Sequence, residues 1–282
     1  MIALIGAFML CTDPLAGIAA EAGGRVGAAA RVLENGKNVL KLHDRERFPM
    51  QSVYKLPIGM ATLADVDRGK FRLSQVIHVD KSEYVSAAQY SPLRDAHPNG
   101  ADVTVEELLK LAVSESDGSA SDVLLRLLGG PTAVMNYLRS AGVKNIMVRD
   151  PEMELGRDWS VQYRNWATPD GAVDLLGALF NSRGLSPGSH EFLLKILIGT
   201  STFPGRIKGQ LPAGTVVAHK TGTSGQRNGI TAATNDIGIV TLPDGRHLGV
   251  AIFVSDSPAS AETRDRVIAK LARAAWDSAM KN

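Results

Sequence analysis

Only one of the 282 residues is a cysteine, Cys11. No intramolecular disulfide can form, and no cysteine-based zinc site can be built, because such centres need several ligands at set spacings. Histidine is sparse as well: His43, His78, His97, His190, His219 and His247 stand apart with no H-x-x-x-H pair. No metal or other cofactor is therefore expected. An excess of one charge is also missing. Lys and Arg number 31 against 29 Asp and Glu, which leaves no basic surplus for a phosphate backbone and removes nucleic acid from the expected partners. Glycine and proline, at 28 and 13 residues, stay below the level of low-complexity chains, which excludes disorder and collagen-like repeats.

Long apolar runs are lacking too. The uncharged stretch MIALIGAFMLC at residues 1–11 is about half the roughly 20 residues that cross a bilayer, so no membrane partner is expected. It has no charged n-region and no clean A-x-A site. Residues 1–13 thus read as an apolar leader truncated by start-site choice, with a folded terminal segment as the plainer alternative. What is present is a chain with 44% apolar residues, long enough to bury about three quarters of its unfolded surface in a core.

The apolar period changes twice along the chain. Pro14 to Ala22 reads as a short helix. Arg25 to Leu42 reads as a hairpin around Glu34-Asn35-Gly36-Lys37, since Asn-Gly supplies the backbone that tight hairpin turns need. From about Ser52 to Gly199, apolar residues recur every three or four positions in VTVEELLKLAV, ASDVLLRLL, TAVMNYLRS, PDGAVDLLGALF and HEFLLKILI, an all-helical middle. After Pro212 a period of two takes over in TVVAHK, GITAATNDIGIVTL and HLGVAIFVS, the last two joined by Pro243-Asp244-Gly245-Arg246. Ser260 then opens a closing helix through Met280. Strands at both ends with helices between them imply an α+β fold: one antiparallel sheet in which the chain ends meet, terminal helices on one face, a helical lobe on the other. Residues 14–282 are expected to form one domain of two lobes, an α/β lobe from about 14–48 and 212–282 and a helical lobe from about 49–211.

Three short segments carry chemistry. Ser52-Val53-Tyr54-Lys55 leads into LPIGMATLADV, so Ser52 is expected at the start of a helix with Lys55 one turn on. That spacing sets an amine beside a hydroxyl, and a serine becomes a useful nucleophile only when a neighbour takes its proton. A helix start also aims N–H groups at developing negative charge. Ser116-Asp117-Gly118 lies between two helical stretches. Lys220-Thr221-Gly222 ends an apolar strand and runs into Thr223-Ser224-Gly225, where bare backbone lets a ligand approach a lysine. Alone, each segment is ordinary; a capping serine with a solvated lysine would account for the first.

In order and separation these segments resemble the S-x-x-K, S-D-N and K-T-G triplet of penicillin-recognising serine enzymes. From about Pro14 to the closing helix, through FPMQSVYKL, RDWSVQYRNWATP, LPAGTVVAHKTGTSG and AATNDIGIVTLPDGR, the chain resembles class A serine β-lactamases of the PER-like subgroup. The resemblance implies a role for each matching position. Ser52 would form the acyl-enzyme with Lys55 as its proton partner, and Ser116 would pass a proton to the lactam nitrogen. The N–H groups of Ser52 and Thr223 would form the oxyanion hole. Lys220, Thr221 and Thr223, in the segment that includes Gly222, would hold the substrate carboxylate, with Arg206 adding positive charge. Counting back from Asp158-Trp159 puts Glu152 on the position of the deacylating base and leaves Glu154 facing outward. Asp122 would brace the loop that carries Glu152, Tyr90 would line the entrance, and Asp117 would be structural.

Two positions depart from the family. Gly118 and Gly156 stand where many relatives have asparagine, one to grip the substrate and one to help hold the water, so a looser grip or slower turnover is expected. The implied substrates are penicillins and oxyimino-cephalosporins, with inhibition by clavulanate, in a periplasmic or secreted monomer. A penicillin-sensing receptor domain, a D,D-peptidase or another amide hydrolase of the same fold are the competing readings; Glu152 and the segment around Lys220 disfavour them.

Overall fold

The computed structural model describes residues 14–281, and the leader expected at residues 1–13 lies outside the described residues. Helix α1 (Pro14–Ala20) leads into the hairpin of β1 (Arg25–Val32) and β2 (Asn38–Leu42). After β3 (Phe48–Pro49) a tight 3₁₀ turn, Gln51–Tyr54, runs into α2 (Lys55–Asp67). Then come β4 (Val76–Val79), α3 (Pro92–Ala96), β5 (Ala101–Thr104), α4 (Val105–Leu109), α5 (Gly118–Leu128) and α6 (Pro131–Ser140). They are followed by β6 (Ile146–Met147), α7 (Glu152–Leu155), β7 (Trp166–Ala167), α8 (Pro169–Phe180) and α9 (Pro187–Ile198). The chain closes with β8 (Val217–Thr223), β9 (Gln226–Arg227), β10 (Ile230–Thr241), β11 (His247–Ser257) and α10 (Ala261–Met280).

The main sheet runs β2-β1-β11-β10-β8, with β9 paired to β10. Its centre joins the two ends of the chain: β1 lies antiparallel to β11, with Arg25 opposite Ser255 and Val32 opposite Leu248. The period of two then sorts side chains between the faces. Val26, Ala28, Ala30, Val250, Ile252 and Val254 pack against Val267, Ile268, Leu271 and Trp276 of α10. Ala29, Ala251 and Phe253 point the other way, into the core shared with α2, α5 and α8. This is the α+β arrangement expected from the changing period.

The middle is not wholly helical. β4 and β5 form a two-stranded sheet, and β3, β7 and β6 a three-stranded one. Strands of two to four residues offer no measurable alternation, so they are invisible among longer helical patterns. The helices themselves start where the caps stand: Thr104 accepts from Glu107, Thr168 from Gly171, Ser186 from Ser189 and Ser260 from Thr263. Helix α2 is the exception in character, since every residue from Lys55 to Asp65 is buried. A helix apolar on all sides belongs inside a core, so the segment after Ser52 is anchored from every direction.

Candidate active site

Ser52 sits in the 3₁₀ turn, one residue inside it, and α2 begins only at Lys55. The expected regular helix start is therefore a tighter turn. Its entry is held in an uncommon shape: Gln51 has φ +46°, a region that non-glycine residues occupy mainly where surroundings force it. Two contacts supply that force. Asn235 on β10 donates through Nδ2 to the carbonyls of Pro49 at 2.8 Å and Met50 at 3.0 Å. Gly222 on β8 lies so close that a Cβ there would enter the Met50 carbonyl and stand 3.2 Å from the Ser52 nitrogen. Only glycine lets the strand approach the serine turn this closely.

Lys55 is 1% exposed. Its Nζ donates to the Ser116 carbonyl at 2.7 Å and stands 3.2 Å from Glu152 Oε2. Ser116, with φ +69°, is the second strained non-glycine residue at the site. Its Oγ accepts from Lys220 Nζ at 2.9 Å, while Lys220 also donates to the Thr221 carbonyl at 3.0 Å. Burial, and then the like charge of Lys55, hold the Lys220 ammonium well below the ordinary lysine range. The structure thus brings together Ser52, Lys55, Ser116, Glu152 and Lys220 from four separate segments.

β8 is an edge strand of the main sheet. In an antiparallel ladder, alternate residues turn their N–H and C=O toward the neighbour and away from it. Ser224 donates to Ala233 of the β10 side, so by alternation Thr221 and Thr223 turn theirs to the open edge. Gly222 against the Ser52 nitrogen then places the Thr223 N–H at the same end of the cavity as that of Ser52.

Glu152 opens α7, a single turn on an otherwise irregular loop. Its backbone is clamped from both sides. Asp122 on α5 accepts from Glu152 N at 2.6 Å and Met153 N at 2.8 Å, and Gln89 Nε2 donates to the Glu152 carbonyl. Burial pushes the Asp122 carboxyl up to about 7 against the pull of those backbone donors. Glu152 Oε2 also accepts from the Tyr54 hydroxyl at 2.9 Å. Glu154 points elsewhere, pairing with Arg157 at 2.7 Å on the outside of the loop.

A cavity of about 710 Å³ opens over these groups, with Ser52, Lys55, Ser116, Glu152, Thr221, Gly222 and Thr223 on its walls. Tyr90, 63% exposed, stands at its mouth. Among the described residues, no group of three or more His, Cys, Asp or Glu side chains is arranged to hold a metal.

A family model described as the β-lactamase enzyme family matches residues 11–279. The β-lactamase VEB-1 of Pseudomonas aeruginosa is 40% identical over 255 residues, covering 90% of this chain and 85% of that protein. The extended-spectrum β-lactamase PER-1 of the same organism is 44% identical over 243 residues, 86% of this chain and 79% of its own. The crystal structure of a β-lactamase from Chitinophaga pinensis superimposes with a TM-score of 0.90 at 44% identity, covering 94% of this chain and 97% of that one. The chain belongs to the class A β-lactamase family.

Three of the residues expected to act on or bind the substrate of this β-lactamase are not on the cavity wall. Arg206 is 1% exposed and lies behind β8. Its guanidinium pairs with Asp265 at 2.8 Å and donates to the carbonyls of Asn235 and Gly222 and to Thr223 Oγ1 at 2.8 Å. It meets the cavity lining at Thr223, at the Gly222 carbonyl and under the Phe203 ring, 4.0 Å from its centre. Lys220, also fully buried, meets the lining at Ser116 Oγ. Gly118 lies beneath Glu152: a Cβ there would be 2.8 Å from the Glu152 Cγ. With Glu152 placed as it is here, a side chain at that position would press on the Glu152 stem, so this glycine leaves room for it.

Gly156 has a similar reason, because a Cβ there would enter the Gln89 side-chain amide. Asp117 is structural, capping α5 at Ala120 and accepting from Ser91 Oγ and Leu93 N. Reading the sequence did not single out Tyr54, Gln89, Asn235 or the Gln51–Gln162 pair, whose amides bond at 2.8 Å and tie the serine turn to the loop at Trp159–Tyr163. The available signal was their place in the quoted stretches, Gln51 and Tyr54 in FPMQSVYKL, Gln162 in RDWSVQYRNWATP and Asn235 in AATNDIGIVTLPDGR; Gln89 had none.

Proposed function

We propose that this β-lactamase opens the ring of penicillins and cephalosporins through an ester on Ser52, and that water activated by Glu152 releases the product. The observation that carries the reading is the Glu152–Lys55 pair at 3.2 Å within the cavity that Ser52 lines. It joins a carboxylate able to take a proton from water to the amine one turn from the nucleophile. In acylation, Lys55, acting as a free amine, takes the Ser52 proton as Oγ attacks the lactam carbonyl. It hands a proton through Ser116 to the departing nitrogen, so that Glu152 stays ionised for deacylation. The N–H groups of Ser52 and Thr223 receive the oxyanion. Lys220 donates to Ser116 Oγ, which leaves the Ser116 hydrogen free to point at the departing nitrogen. Thr221 and Thr223, with the charge of Arg206 behind them, hold the substrate carboxylate. In deacylation, Glu152 takes a proton from water as the oxygen attacks the ester, and that proton returns to Ser52 Oγ.

Two variants test the assignment. Ser52→Ala should show no covalent adduct with a cephalosporin by intact-protein mass. Glu152→Gln should acylate but accumulate the ester, and unchanged steady-state turnover in that variant would reject Glu152 as the base. Sustained turnover of a chromogenic cephalosporin by the native protein separates an enzyme from a sensing domain, which would give one stoichiometric burst. Substrates of this class act on the cell wall, which supports a periplasmic or secreted monomer of two lobes with the cavity between them. Among the described residues, no helix is long and apolar enough to cross a membrane. The size of the cavity and the exposed Tyr90 beside it support oxyimino-cephalosporins as well as penicillins.

A further inference from the structure

Glu152 is held by side chains at its backbone and at its carboxylate. Asp122 holds its N–H and Gln89 holds its carbonyl, which fixes the Cα but leaves the side-chain torsions free. A base must present one oxygen to one water in one direction. Residue 156 cannot help, since it is a glycine and the Gln89 amide occupies the space a side chain would need. Two groups reach the carboxylate, Lys55 Nζ at 3.2 Å and the Tyr54 hydroxyl at 2.9 Å, both on Oε2. Tyr54 has no exposed surface and sits between Ser52 and Lys55, on the turn that opens the fully buried helix α2. A buried phenol needs a partner, and this one spends its hydrogen on Glu152.

We propose that Tyr54 is a positioning residue for deacylation: its hydroxyl and the Lys55 Nζ together occupy Glu152 Oε2, so that Oε1 is the oxygen that takes the proton of the attacking water. This rests on Glu152 being the base. Both donors approach the same oxygen, Tyr54 at 2.9 Å and Lys55 at 3.2 Å, and its lone pairs are then engaged. Burial and the carboxylates of Glu152 and Asp122 push the Tyr54 phenol well above its usual range. It therefore remains a donor throughout the working pH range.

The test is Tyr54→Phe, which keeps the ring in the core and removes only the hydroxyl, run beside Glu152→Gln. Acylation and deacylation are measured separately, by single-turnover kinetics and by the fraction of ester in intact-protein mass, across pH 5–9. Loss of one hydrogen bond to a charged group should slow deacylation about tenfold to a hundredfold and leave acylation within about threefold. Retained acylation also shows that the variant is folded. Equal slowing of both steps, or deacylation at the native rate, overturns the role of Tyr54 while leaving Glu152 as the base. Normal deacylation in Glu152→Gln overturns the base assignment itself, and the Tyr54 proposal with it.

Discussion

The two walls of the cavity are built by different means. The strand wall, β8, is held by a continuous ladder from Val217 opposite Val240 to Thr223 opposite Thr234, and Arg206 ties it from behind. The loop wall, from Glu152 to Tyr163, hangs on a few side chains: Asp122, Gln89, Tyr54 and the Gln51–Gln162 pair. A ladder spreads its hold over many backbone bonds, so losing one side chain changes little. A loop held by single contacts can be loosened one contact at a time. In the proposed mechanism the strand wall serves acylation and the loop wall deacylation. Damage to each should appear in a different step.

The strand wall has one exception to its tolerance, and there the largest effect is expected. Gly222→Ala puts a methyl group into the Met50 carbonyl and against the Ser52 nitrogen. Backbone cannot yield as a flexible side chain can, so either β8 or the serine turn must move. Overpacking of this kind costs about 1–3 kcal/mol, and a shift of about 1 Å at the nucleophile costs on the order of a hundredfold in rate. Acylation of Gly222→Ala by a cephalosporin should fall by about that factor. A rate within threefold of the native enzyme would show that the strand wall is as forgiving here as elsewhere.

The same contrast separates what could be read in the sequence from what could not. β10 and β11, each more than ten residues long, announce themselves by period, and so does the sheet that joins the chain ends. Ser52, Lys55, Ser116 and Lys220 are legible because their chemistry depends on short fixed spacings. The loop wall has no such spacing. Tyr54 meets Glu152 across 98 positions, Gln89 across 63, and Gln51 meets Gln162 across 111. A lone tyrosine or glutamine carries no sign of so distant a partner. Gly118 and Gly156 illustrate the cost: as departures from a motif they pointed to lost contacts, whereas in the fold their missing side chains admit Glu152 and Gln89. Arg206 was legible as a residue but not in its position, because only the sheet shows which side of β8 it occupies.

An intermediate effect is expected at Asp122, the main anchor of the loop wall. Its carboxyl titrates at about 7 in the folded protein against 3.8 in an unfolded chain, chiefly because it is buried. A raised folded value means that the native state holds a proton which the unfolded state has released. The contribution to stability is therefore fully present below about pH 4 and is lost as pH rises through about 7. Asp122→Asn removes this dependence. The difference in unfolding free energy, native minus variant, should fall by on the order of a few kcal/mol between pH 4 and pH 8. Denaturant melts at several pH values would show it, and a difference independent of pH would mean that Asp122 remains ionised, with the two backbone donors outweighing burial.

The smallest effect belongs to Gln162, at the far end of the loop. Its Oε1 accepts from Gln51 at 2.8 Å, and its Nε2 donates to the Trp159 carbonyl at 2.8 Å. Gln162→Ala cuts the tie between loop and serine turn without disturbing the left-handed backbone at Gln51. Neutral hydrogen bonds contribute about 1 kcal/mol each, so the melting temperature should drop by only a few degrees. Because the tie is at the loop end and not at Glu152, deacylation should slow about two- to fivefold, with acylation unchanged. An effect confined to acylation would place the Gln51–Gln162 bond with the strand wall, as a support of the serine turn. The cavity would then be divided at Gln51 and not at Glu152.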